Sequence, residues 1–180
     1  MALTVETGAG LADADSYVSL ADASSIASSL GLTFPISGAD EALAEQALRR
    51  ATIWVDATYR PRFPGWRTNY RAQALEWPRQ GAYDQNVIPQ YVPSDEVPIE
   101  IKRACVIAAV REKASSGSLS PDVTPGQIKK SVSVDGAVAV EYAIGSGVAD
   151  QRPVVTMIDD VLASLLSTGR GATLYGSVTR

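Results

Sequence analysis

A stretch punctuated by proline and glycine, Ala47–Gly81, sets the tightest limit on how this chain can fold. It holds all three tryptophans, Trp54, Trp66 and Trp77, with Tyr59, Phe63 and Tyr70 between them. It also holds Arg49, Arg50, Arg60, Arg62, Arg67, Arg71 and Arg79, against only Asp56 and Glu76. Pro61, Pro64 and Gly65 cannot continue a helix, because proline lacks the N–H donor and clashes with the preceding turn. A helix entering the stretch must therefore stop near Tyr59. A short helix over Tyr70–Glu76 must in turn end at Trp77-Pro78. Between them lies a long loop whose aromatic and arginine side chains pack, stack or hold a partner.

The segments on either side read as helices. Asp40 leads one through about Tyr59, with Leu43, Ala47, Ala51, Trp54, Val55 and Thr58 on one side and Trp54 as its large core anchor. Glu45 and Arg49 form a favourable i,i+4 pair on another face. Ser19 and Asp22 fit a capping box, which starts an earlier helix at Leu20 and lets Gly31 end it. Ser94 or Asp95 caps a later one whose first turn includes Pro98. Ile101, Ala104, Cys105 and Ala108 form its inner stripe, Lys102, Arg103, Arg111, Glu112 and Lys113 face out, and Ser115-Ser116-Gly117 ends it. Pro153 opens a last helix with Val154, Ile158, Val161, Leu162, Leu165 and Leu166 on its apolar face. The pattern predicts a mainly α chain, a small bundle of about four main helices.

One β signal interrupts the helices. Ile128, Val132, Val134, Val138, Val140 and Tyr142 alternate around Asp135-Gly136, as in a hairpin. A glycine-bulge turn pairing Val132 with Val138 and Lys129 with Glu141 keeps the apolar residues together. Turn-rich linkers flank this hairpin, so it reads as an exposed arm at about 127–143, inserted in a single domain of residues 1–170 and placing Val138 and Val140 at a subunit contact. Residues 171–180 read as an extended C-terminal arm. Gly169 and Gly171 uncouple that arm from the last helix, and Leu174, Tyr175, Val178 and Arg180 suit a partner's surface.

Composition narrows the chemistry. The 180 residues carry a net charge of −4, no histidine and one cysteine. Without histidine the commonest general base and metal ligand are missing. No phosphate-binding glycine loop occurs, and Asp13 and Asp15 are not followed by the further ligands of a calcium loop. No catalytic residue, cofactor or metal is expected. No apolar run approaches the roughly 20 residues that span a bilayer, and no secretory leader is visible. These features predict a soluble intracellular product without membrane contact. An acidic body also argues against a purely electrostatic nucleic-acid binder.

Several stretches together resemble a known family: ADADSYVSLADA (12–23), ALRRAT (47–52), QALEWPR (73–79), VPIEIKRAC (97–105), VEYA (140–143) and the pair Arg152-Pro153. They are similar to the head–tail connector or adaptor (neck) proteins of tailed bacteriophages, some of which are described as DnaT-like single-stranded-DNA-binding proteins. The resemblance implies a virion subunit that forms a dodecameric ring under the portal and joins capsid to tail. Its implied partners are the portal protein, a tail, stopper or tail-terminator protein, further copies of itself, and duplex DNA passing through the channel without sequence specificity. Its implied location is the virion neck, with assembly in the host cytoplasm. Arg62, Trp66, Arg67 and Arg71 would then lie at an interface or along the channel. The alternative is a single-stranded-DNA module, with Trp66, Tyr70 and Trp77 as stacking platforms and Arg62, Arg67 and Arg71 as phosphate contacts. Against it, Trp77 beside Pro78 reads more readily as a buried anchor and Arg79 as an ion-pair partner. Arginine beside tryptophan also suits a protein interface, and the acidic balance favours that reading.

Overall fold

A computed structural model describes residues 2–84, 90–122, 131–134, 138–141 and 154–167. Four helices carry the fold: α1 (Leu20–Ser29), α2 (Asp40–Tyr59), α3 (Ile99–Ala114) and α4 (Thr156–Leu162). Three short antiparallel pairs accompany them: β1 (Trp66–Arg67) with β2 (Arg79–Gln80), β3 (Tyr83–Asp84) with β4 (Gln90–Tyr91), and β5 (Ser131–Val134) with β6 (Val138–Glu141). The chain is mainly α, as its periodicity predicts, and to the one expected hairpin, β5–β6, it adds two short ribbons that the sequence did not announce.

The core forms where α2 packs on α3, and α3 in turn packs on α1 and α4. Ala44, Ala47 and Ala51 on α2 and Ala104, Ala108 and Ala109 on α3 are fully buried. Such small side chains let two helix backbones approach closely. Thr52 Oγ1 lies 3.1 Å from Cys105 Sγ across this contact. Burial pushes the Cys105 thiol up to about 12, so it stays protonated and serves as core. The start of α1 follows the sequence reading, with Ser19 Oγ accepting from Asp22 N at 3.1 Å. No helix among the described residues is long and apolar enough to cross a membrane.

Several elements depart from the sequence reading. α3 begins at Ile99 with Pro98 as its cap and no side-chain capping bond, because a residue before proline is held out of the helical region. Ser94 and Asp95 therefore cannot cap it. Glu112 turns inward and is 2% exposed. Its Oε1 accepts from Arg50 Nε and from the Gly117 N–H, both at 2.7 Å, which compensates its burial. Val154 is 75% exposed, and Val155 takes its place in the core with Ile158, Leu162, Leu165 and Leu166.

Only Tyr70–Ala72 of the expected Tyr70–Glu76 helix forms, as one 3₁₀ turn. The Gln73 side chain explains the stop. Its Oε1 accepts from Asn69 N, and its Nε2 donates to the Leu75 and Pro78 carbonyls, in place of helical bonds. In the hairpin, Val132 pairs with Val140 and Val134 with Val138. The pairing is shifted by two positions from the expected Val132–Val138, with the alternation kept. A Val134–Val138 closing pair leaves a three-residue connection, whereas Val132 opposite Val138 would leave five. The side chains of Val138 and Val140 lie outside the described residues. So does the expected arm at 171–180, with Leu174, Tyr175, Val178 and Arg180.

Candidate functional site

The aromatic–arginine loop is anchored from beneath by a buried polar knot. Tyr17, just before α1, donates its hydroxyl to Asp56 Oδ1 of α2 at 2.6 Å. The Tyr17 oxygen accepts the N–H groups of Glu76 and Trp77, each at 3.1 Å, and Asp56 Oδ2 accepts Glu76 N at 3.0 Å. Burial raises the Asp56 carboxyl to about 6 against the pull of these donors, and raises the Tyr17 phenol well above its usual value. These bonds hold the loop's return strand to the helix bundle.

Arg79 fixes the other side of the loop. Its guanidinium is buried and donates to the Pro64 and Gly65 carbonyls at 2.8 and 2.7 Å, and to the Glu76 carboxylate at 2.8 Å. Burial lowers the Arg79 pKa, partly offset by Glu76. Trp77 is fully buried and meets Phe63 edge-on, with ring centroids 5.6 Å apart. The sequence reading of Trp77 as anchor and Arg79 as ion-pair partner therefore holds, and Trp77 offers no stacking face.

On this base lies the β1–β2 ribbon, with Trp66 opposite Gln80 and Arg67 opposite Arg79. Gly65 and Gly81 have positive φ, 68° and 69°. A Cβ at Gly65 would come within 2.0 Å of the Gln80 carbonyl, so only glycine lets the two strands close. A Cβ at Gly81 would meet the Trp66 ring at 3.3 Å, which shows the indole resting against bare backbone. Trp66 nevertheless remains 51% exposed. Four residues on, Tyr70 is 66% exposed and sits at φ 49°.

The arginines of the loop separate into two kinds. Arg60 and Arg79 pair with Glu76, Arg49 with Asp15 and Glu45, and Arg50 with Glu112. Arg62 is looser, 3.6 Å from Asp159 and 5.9 Å from the centre of the Tyr59 ring. Arg67 donates to the Gln73 carbonyl at 3.0 Å, and Arg71 is exposed. Neither has a carboxylate partner among the described residues. Trp66 and Tyr70, both exposed, are thus each followed by an arginine without a carboxylate partner among the described residues, Arg67 half-buried and Arg71 exposed. That repeat is visible in the sequence at a spacing of four and is the signal that separates these residues from Trp77 and Arg79.

Sequence reasoning passes over two further exposed aromatics, Tyr83 and Tyr91, which face each other across β3–β4. Their two-residue strands are too short to leave an alternating pattern. No group of His, Cys, Asp or Glu among the described residues could hold a metal ion.

Over residues 1–180 the chain matches the family model described as "Putative DnaT-like ssDNA binding protein", and it belongs to that family. No curated protein and no solved structure matches it. The family match overturns the expectation of a head–tail connector subunit. The dodecameric ring and the portal and tail partners have no support from it. The part of the sequence resemblance that stands is its DnaT-like branch.

Proposed function

We propose that this chain binds single-stranded DNA through the ribbon Trp66–Arg71, with Trp66 and Tyr70 stacking on bases and Arg67 and Arg71 contacting phosphates. The observation that carries this reading is the pairing of a half-exposed indole, seated on Gly81, with arginines that have no carboxylate partner among the described residues. A stacking platform must be fixed on one side and open on the other, and the anchored ribbon meets both needs. The family description supports the same ligand. The chain acts in this reading as a binding module and not as a catalyst. A net charge of −4 does not oppose it, because Arg67 and Arg71 have no carboxylate partner among the described residues.

Stacking on an aromatic side chain contributes roughly 1–3 kcal/mol per base, independent of base identity, and two phosphate contacts on a single strand give a log–log salt slope of about −1.4. Trp54 and Trp77 are buried, so quenching of tryptophan fluorescence on adding oligothymidine reports mainly on Trp66. The expected result is quenching with a slope of about −1.4, and a loss of about tenfold or more in affinity for Trp66→Ala, read by oligonucleotide anisotropy. Equal affinity of Trp66→Ala and wild type would defeat the proposal.

A further inference from the structure

The return strand of the ribbon does not end at Gln80. It passes through Gly81, beneath the Trp66 indole, and reaches Tyr83 two residues later. Two residues of extended chain span at most about 7 Å, so the tyrosine pair begins close beside the indole. Tyr83 and Tyr91 are direct cross-strand partners, 42% and 67% exposed. Directly opposed residues project to the same face of a ribbon.

The two ribbons are joined. The chain runs straight from one to the other through Gly81 and Ala82, and Thr68 Oγ1, next to β1, donates to the Ser94 carbonyl at 2.8 Å. The second ribbon is therefore positioned by the first. Its surroundings differ in charge, however. A groove of about 190 Å³ beside Tyr91 is lined by Glu96 and Glu100, and these carboxylates repel phosphate.

We infer that Tyr83 and Tyr91 form a second base-stacking step that continues the single-stranded-DNA track and takes bases without contacting phosphate. This inference rests on the proposed ligand of the Trp66 ribbon and adds a length requirement to it. A short strand fills the Trp66–Tyr70 platform, and only a longer strand reaches the tyrosines. Because no lysine or arginine among the described residues lines that groove, the tyrosine step releases no counterion and adds nothing to the salt slope, unlike Arg67 and Arg71.

The test compares oligothymidines of roughly four and twelve nucleotides, a span typical of single-strand sites, on the full chain. The double variant Tyr83→Ala/Tyr91→Ala is expected to bind the short strand as wild type does. It should bind the long strand about tenfold more weakly, with an unchanged salt slope. The matching phenylalanine variants retain the ring and should restore wild-type affinity. Trp66→Ala should weaken both strands. If the tyrosine variant binds the long strand as wild type does while Trp66→Ala weakens both, the inference falls and the Trp66 platform stands. If Trp66→Ala changes neither strand, the platform itself falls. A weaker tyrosine variant with a shallower salt slope would overturn the base-only contact. Should the double variant lose its helical circular dichroism, the single change Tyr91→Ala, at the more exposed ring, decides the matter by the same readouts.

Discussion

Tyr70 adopts a left-handed backbone, φ 49°, at an exposed position. For a residue with a Cβ this conformation costs about 1–2 kcal/mol, and strain of this kind collects at sites of function. Nothing in the packing requires a tyrosine there, since the ring is 66% exposed. Glycine would relieve the strain and keep the turn. Tyr70→Gly is therefore expected to raise stability by about 0.5–1 kcal/mol, after allowing for glycine's greater freedom in the unfolded chain. The same change should lower affinity for oligothymidine by about tenfold. Urea unfolding and anisotropy titration of one preparation check both halves. A variant that gains neither stability nor loses affinity would show that Tyr70 has no place in the site.

At the scale of elements, the knot between α2 and the loop depends on one carboxylate. Burial lifts Asp56 from the ordinary 3.8 to about 6, while Glu76 pushes it up and Arg60 draws it down. The folded protein thus holds this proton more tightly than the unfolded chain does. The resulting stabilisation is complete below about 3.8 and is lost as pH rises through about 6. Relative to Asp56→Asn, which does not titrate, wild type should lose up to about 3 kcal/mol between pH 3.5 and pH 7.5. Urea midpoints of the two proteins across that range give the difference, and a flat difference would contradict the assignment. Elements of this kind were only partly legible in the sequence. The helices were, because 3.6-residue periodicity persists over α2 and α3. The ribbons β1–β2 and β3–β4 were not, because two residues carry no alternation, and the Tyr17–Asp56 bond joins positions 39 apart. Trp66, Arg67 and Arg71 could be singled out by composition. What composition could not show was which arginines already had carboxylate partners, since Arg50–Glu112 spans 62 positions.

The molecule as a whole is an α-helical scaffold that holds one cationic, aromatic ribbon at its surface while the rest of the chain stays acidic. Overall charge therefore misleads here, and the sequence reading that weighed it toward a protein interface gave too little weight to local neutralisation. Five of the arginines between Arg49 and Arg79 sit beside carboxylates, which leaves Arg67 and Arg71 without one among the described residues. Family membership over the full length points to the same ligand class. The most direct test is photochemical crosslinking of a bromouracil-substituted single strand to the full chain, mapped by peptide mass spectrometry. The account predicts adducts on the peptide carrying Trp66–Arg71, suppressed by excess unmodified single strand. Adducts confined to other regions of the chain, or none above a non-binding control, would contradict it.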